Sequence, residues 1–439
     1  MIEPQGTIAA KSRVRTGRVL ALALTLFAAV IAALAGPVAG LAGAQEAVTE
    51  ITVGALLDQS GPRMSQDRLV EAALKVAADE INAHLEAAGR PFRLALRVGD
   101  TRTDPDHALL QLQAMAQEGV RFVVGPSTSQ ELFRVRPYAQ TQGILLVSPS
   151  STAPSLAVPG DLVFRMVPDD TRQGRVLADR MWRDGIRAVV PIMRDDLYAK
   201  DLVHFTREAF ESRNIIFDFG GAPGGAGCRL MPIEGSLPLQ VCGGVVYNPR
   251  TVDFIAEVQS LTDIVAEAVR AYGARRVAVL LIAFEEAVPI FVQAATSPIL
   301  SLVRWYGADA SAKSPAIAGH EGAARFASGV SFTASIAAEA QGRVFSALSD
   351  AVRRLTGSDA DANAAAAYDA LWLIARAIES EGPVASPSRI AQALPRAAQG
   401  YAGASGSVRF NAAGDRDSDS FDFWRLERRG EAYVWSQVR

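Results

Sequence analysis

The sequence predicts an α/β protein built of two doubly wound lobes, and three observations carry that reading. Apolar strand-like runs alternate with amphipathic helical stretches from residue 50 to 147, and the alternation restarts after Pro159-Gly160. That is the pattern of a parallel sheet covered by helices. Setting aside the first 44 residues leaves about 395, more than one core usually holds, so two units are expected. Two hydroxyl clusters, Ser127-Thr128-Ser129 and Ser148 to Thr152, follow the apolar runs 122–124 and 144–147. A strand, helix and strand of this length form a parallel βαβ unit, which brings both clusters to one carboxyl edge, where open α/β sheets bind small molecules.

The front end is read as an address. Lys11, Arg13, Arg15 and Arg18 precede the apolar run 19–35, and Ala42-Gly43-Ala44 supplies an A-x-A cleavage site, so 1–44 is a signal peptide and the mature chain starts at Gln45. A retained anchor is the alternative, although the run is short for a span. Removing four basic residues and Glu3 takes the formal net charge from -3 to -6. A mildly acidic chain offers nucleic acid no basic face.

Residues 50–57 read as a buried strand, Ser60-Gly61-Pro62 as a turn, and 68–85 as a helix with Leu69, Ala72, Ala73, Val76, Ala77 and Ile81 on one face. A strand over 92–98 leads to Asp100, and Asp104-Pro105 marks the start of a helix over 106–117. The second set comprises a strand at 162–167, a helix at 171–183, a strand at 188–193, a helix at 202–213 and a strand at 215–219. A helix over 254–272, a strand over 277–283, a helix over 287–295 and a strand over 303–306 continue it. The last third holds a strand at 330–334, helices at 341–355, 363–381 and 388–394, and a terminal antiparallel ribbon from 407–410, 421–426 and 433–437. Cys228 and Cys242 are the two cysteines, and in an exported chain an isolated pair is most simply one disulfide, here closing a Gly/Pro-rich insertion at 220–244. Such a bridge stabilises by about 3 kcal/mol in the chain-entropy model.

Catalytic signatures are missing from the pattern. His84, His107, His204 and His320 show no metal-ligand spacing, no Gly-Lys pair forms a P-loop, and there is no G-x-S-x-G elbow. The chain is therefore expected to be no enzyme and to carry no metal or cofactor. Its chemistry suits binding. Hydroxyls and free N–H groups at a helix start can hold a carboxylate, and a carboxylate such as Asp309 can hold an ammonium. Tyr198, after the strand at 188–193, is an amphipathic ring suited to covering a bound molecule. The plain alternatives are a helix cap for Ser127–Ser129, a turn for Ser150–Thr152 and Asp309, and a half-buried helix-start aromatic for Tyr198.

Eight stretches in order give a resemblance: ITVGALLDQSGP, VVGPSTSQ, ILLVSPSSTAPSL, DLYAKDL, YNPRTVDF, WYGADAS, AAYDALWLIARAIE and GSVRFNAAGDR. Together they resemble the leucine/isoleucine/valine-binding family, the branched-chain amino acid and amide ABC transporter substrate-binding proteins of the type I periplasmic binding protein fold. The resemblance implies two lobes joined by a three-strand hinge, lobe 1 from 45–165 and 334–404, lobe 2 from 166–333 and 405–439. It implies that Ser127, Thr128, Ser129, Ser151 and Thr152 take a ligand's α-carboxylate, Asp309 its ammonium, and that Tyr198 and Phe284 line the cleft. It further implies a periplasmic, monomeric protein that passes an amino acid or amide to inner-membrane permease subunits; a sensory or auxiliary protein of the same fold is the alternative. Two departures stand out. Ala199 replaces a usual glycine, and around 64–68 the usual aromatic and glycine are absent, which leaves one pocket wall unassigned.

Overall fold

A computed structural model describes residues 48–211, 216–217, 228–231, 239–242 and 244–438, with side chains described over 48–210 and 244–438. The expected signal segment 1–44 lies outside the described residues.

The first lobe opens with β1 (Thr49–Leu57), α1 (Met64–Ala87), β2 (Phe92–Asp100), α2 (Pro105–Gln117), β3 (Phe122–Val124), α3 (Ser129–Gln142), β4 (Leu145–Ser148) and β5 (Val163–Arg165). These strands form one parallel sheet in the order β2-β1-β3-β4-β5. β3 and β4 are buried along their whole length, which is why they read as unbroken apolar runs rather than alternating ones. Helix starts follow the sequence signals. Asp104 accepts from the His107 N–H with Pro105 behind it, and Thr128 with Glu131 closes a reciprocal capping box on α3.

The chain then crosses to a second lobe: α4 (Asp170–Arg183), β6 (Ala188–Arg194), α5 (Leu197–Glu211), β7 (Ile216–Phe217), β8 (Cys228–Met231), β9 (Leu239–Cys242), β10 (Val245–Tyr247), α6 (Ile255–Tyr272), β11 (Val277–Ile282), α7 (Ala287–Ala294), β12 (Arg304–Gly307), α8 (Pro315–Gly319), α9 (Glu321–Gly329) and β13 (Thr333–Ala337). Helices α10 (Arg343–Thr356), α11 (Ala362–Glu381) and α12 (Pro387–Ala397) belong to the first lobe, α10 and α11 packing on α1. Their apolar faces share one core with β1 to β5. A small hairpin, β14 (Ala402–Gly403) with β15 (Gly406–Ser407), follows, and β16 (Phe421–Arg429) and β17 (Ala432–Val438) return to the second lobe. The second sheet runs β10-β6-β11-β12-β13-β16-β17, parallel as far as β13 and antiparallel beyond it, with β7 also on β6.

Of the expected terminal ribbon, β16 and β17 pair as read, whereas Ser407 pairs with Ala402 in the other lobe. The reason is Asp369, a buried carboxylate on α11 that accepts from the N–H groups of Ala404 and Ser405 and from the Tyr401 hydroxyl. In the insertion, β8 and β9 are antiparallel with Cys228 opposite Cys242 in the backbone register. The two side chains lie outside the described residues.

Three crossings join the lobes, between β5 and α4, β13 and α10, and β15 and β16. The first and third are tied together. Arg165 pairs with Asp415 in a buried ion pair, its N–H donates to Gly414 O at 3.0 Å, and Arg416 N–H donates back to Arg165 O at 2.9 Å.

Candidate functional site

The site is built outward from two strand ends of the first lobe. After β3 the chain turns at Gly125, whose φ of +109° and whose absent Cβ, which would sit 2.4 Å from Leu56 O, admit no other residue without strain. That turn delivers Ser127, Thr128 and Ser129 to the start of α3. After β4, Ser148 donates to Pro126 O and Ser150 to Ser127 O, both at 2.7 Å, so the second hydroxyl loop is laced onto the first. Ser129 Oγ then stands 3.0 Å from Ser151 Oγ and accepts from the N–H groups of Thr152 and Ala153 at 3.2 Å. The two clusters meet on one edge, as the βαβ reading requires.

Thr128 is partly spoken for. Its hydroxyl donates to Glu131 Oε2 at 2.7 Å and accepts from Glu131 N–H at 3.2 Å, the cap that was the plain alternative for this cluster. Ser127 Oγ is buried without a hydrogen bond of regular geometry, although it lies close enough to the Asp67 carboxyl to oppose in part the upward shift that burial imposes on it.

The second lobe supplies rings and carboxylates. Tyr198, on the first turn of α5, donates to Asp309 Oδ1 at 2.7 Å, and its ring stacks on Phe284 with centroids 6.0 Å apart and an interplanar angle of 11°. All eight residues expected at the site are buried. Asp309 is joined there by Asp170, fully buried at the start of α4, which accepts from the Thr152 hydroxyl at 3.0 Å. Burial first, and then the nearby Asp309 charge, push the Asp170 carboxyl well above the usual range. Burial raises Asp309 too, against the opposing pull of Tyr198, Arg63 and Gln173. Two desolvated carboxylates within reach of each other are an arrangement that a cation would relieve.

The lobes touch directly across this junction. Ser65 N–H donates to Glu285 Oε1 at 2.7 Å, Glu285 N–H to Pro62 O at 2.9 Å, and Leu197 N–H to Gln130 Oε1 at 2.9 Å. At its edge lies a groove of about 650 Å³ lined by Pro62, Arg102 and Thr128 on one side and Arg194, Arg250 and Glu286 on the other. Of the expected residues it holds Thr128 alone; the other seven are inside the closed junction.

Sequence reasoning missed the contribution of the stretch 63–67. Asp58, at the end of β1, accepts from the N–H groups of Ser60 and Arg63 at 3.0 and 2.7 Å and so fixes the turn into α1. Arg63 thereby reaches across to the second lobe, its guanidinium carbon 4.9 Å from the Phe284 ring centre. Arg194 covers the same ring at 3.8 Å, held by Asp196 and Glu286. Asp67, 3.5 Å from Arg63, has its pKa raised to about 6 by burial, and Glu131 is raised to about 7 by the same cause. An arginine directly after a Gly-Pro turn was the available signal for this wall. Asp170 carried a weaker one, as the second of two aspartates opening a helix.

Among the described residues no group of His, Cys, Asp and Glu is arranged to hold a metal, and no helix is long and apolar enough to cross a membrane. Chemically, the junction offers donors for an anion from one lobe and acceptors for a cation from the other.

Comparison with known proteins fits this geometry. Residues 50–215 match the periplasmic binding protein family and residues 245–429 the receptor family ligand binding region. An uncharacterized protein of Methanocaldococcus jannaschii is 28% identical over 60% of this chain and 58% of its own length. The Leu/Ile/Val-binding protein BraC3 of Rhizobium johnstonii is 31% identical over 38% of this chain and 45% of its own. This chain thus spans about half the length of the curated relatives it matches. Among solved structures, the leucine binding protein LivK of Thermotoga maritima superposes with a TM-score of 0.69, covering 88% of this chain and 97% of that one at 18% identity, a likeness of fold. Two lobes with parallel sheets, a junction lined by hydroxyls and carboxylates, and matches of the first half to the periplasmic binding protein family and of the second half to the receptor family ligand binding region lead to one conclusion: the chain has the type I periplasmic binding protein fold.

Proposed function

We propose that this protein is an exported solute-binding protein that closes its lobes on an amino acid or small amide and delivers it to the permease of an ABC importer. The observation that supports it most is the meeting, inside one closed junction, of Ser129, Ser151 and Thr152 from one lobe with Tyr198 and Asp309 from the other. A ligand's α-carboxylate would take the hydroxyls and the free N–H groups at the start of α3. Its ammonium would sit against Asp309 and Asp170, restoring the charge partner that burial makes them lack. Buried polar groups without partners cost about 1–3 kcal/mol each, so closure becomes favourable when a ligand supplies those partners. Ser127 and Phe284 complete the wall, and Thr128 acts through the helix cap. The same reading takes 1–44 as a cleaved signal, the periplasm as the place of work, a monomer as the working form, and Cys228–Cys242 as a disulfide.

The match of 245–429 to a receptor ligand-binding family favours a second reading, a ligand-binding subunit of a sensory system. Thermal shifts against amino acids, amides, urea and short peptides test the binding that both readings need. A rise in Tm with at least one amino acid or amide is expected; no rise with any of them sinks the proposal. Pull-down of permease rather than a signalling partner from a native membrane extract separates the two readings.

A further inference from the structure

Arg63, Ser65, Gln66 and Asn363 are not needed to grip the two charged ends of an α-amino acid. Yet Arg63 Nε, Ser65 Oγ, Asn363 Nδ2 and both polar ends of the Gln66 carboxamide are buried with no partner from the protein. Gln66 is 1% exposed and Asn363 2% exposed. Because both ends of Gln66 are unpaired, interchanging its O and N assignment changes nothing. All four residues stand at the starts of α1 and α11, helices that pack side by side in the first lobe, and the charge of Asp361, two residues before Asn363, is felt at Arg63. Arg63 also lies over Phe284 at 4.9 Å, so the Arg63 end of this polar patch borders the wall expected to line the cleft.

The relatives' names point to branched aliphatic side chains, and such a side chain would leave every one of these polar groups unpaired, which is where selectivity is strongest. A complement must accept hydrogen bonds from Arg63 and Asn363, can pair with the Ser65 hydroxyl in either direction, and must both accept from and donate to Gln66. A carboxylate accepts but cannot donate. It would also enter beside Asp67, Glu131 and Asp361, with Arg63 already engaged by Asp67. A neutral amide group meets both demands.

We infer that the ligand's side chain ends in a neutral carboxamide or ureido group, and that Gln66, with Asn363 and Arg63, is the residue that reads it. This rests on the amino-acid reading above and narrows it.

The test is calorimetric titration of the purified full chain with glutamine, citrulline, leucine and glutamate. Glutamine or citrulline is expected to bind at least 10-fold more tightly than leucine and glutamate. Leucine or glutamate binding equally well or better overturns the inference and leaves the amino-acid reading standing; no binding by any of the four, or by other amino acids, removes both. Gln66→Leu and Asn363→Leu should each lower the ratio of carboxamide to leucine affinity about 10-fold, and an unchanged ratio takes the reading role away from that residue. If either variant fails to fold, the wild-type ratio decides.

Discussion

The two faces of the interlobe junction are built on different physics. On the first-lobe face, Ser148, Ser150 and Thr128 are bonded to backbone groups or to a capping carboxyl, and Ser129 is held by two N–H groups and a second hydroxyl. These side chains are short, so turn geometry fixes where they point. On the second-lobe face, Asp170, Asp309 and Tyr198 are desolvated together and each is pushed up in pKa. One face is held by covalent geometry and hydrogen bonds, the other by a charge cost awaiting a partner. A mutation in the Ser129–Ser151 hydroxyl loop should therefore act locally and at any pH, whereas one on the second face should act strongly and through charge.

The largest effect should come from the second face. Asp309→Ala is expected to lower affinity for the proposed amino-acid ligand by about 3 kcal/mol, because that ligand's ammonium would stay buried without its charge partner. Calorimetry measures it, and an unchanged affinity would erase the contrast between the faces. Asp309→Asn keeps an acceptor for Tyr198 but not the charge, and should fall between.

Titration gives the next effect. Burial holds Asp67 at about 6 and Glu131 at about 7, above their ordinary values of 3.8 and 4.5. A carboxyl raised in the folded state binds its proton more tightly there than in the unfolded chain. The stability it contributes is present below its unfolded pKa and is lost as pH rises through 6 and 7. The ligand-free protein should thus melt at a lower temperature at pH 8 than at pH 5, its unfolding free energy being smaller there by something on the order of 1–2 kcal/mol. Glu131→Gln should flatten that slope, and a Tm that climbs between pH 5 and pH 8 would contradict the burial argument.

Ser129→Ala probes the first face. It removes the acceptor of two buried N–H groups, and should cost about 1 kcal/mol in denaturant unfolding, with the same value at pH 5 and pH 8. A pH-dependent cost would mean that the Asp67 and Glu131 carboxyls reach this hydroxyl loop as well. The smallest effect belongs to the rim, where Arg250 reaches Asp104 across the junction at 3.0 Å with its side chain 84% exposed. Arg250→Ala should change stability by less than about 0.5 kcal/mol, and the change should vanish in high salt.

Much of this was legible in the chain, and the failures have physical causes. The strand runs of the first lobe, the Asp104-Pro105 helix start and the pairing of the two hydroxyl clusters depend on local pattern and on the short reach of a βαβ unit, so they could be read directly. The partner of Ser407 could not, because it is chosen by Asp369 from a helix more than thirty residues earlier. Nor could the wall made by Arg63, Gln66 and Asp67, since nothing in SGPRMSQD says that these polar side chains turn inward.

Periodicity and turn residues by themselves determined two wound sheets and the edge on which Ser127 to Thr152 gather, because those features rest on interactions between near neighbours along the chain. Tertiary structure alone decided that Asp170 would join Asp309, that Arg63 would cross to Phe284, and that seven of the eight expected residues would be sealed inside rather than lining the open groove. Those outcomes depend on how the crossings bring one lobe against the other, and desolvation, which sets the charge chemistry of the junction, exists only once they have done so.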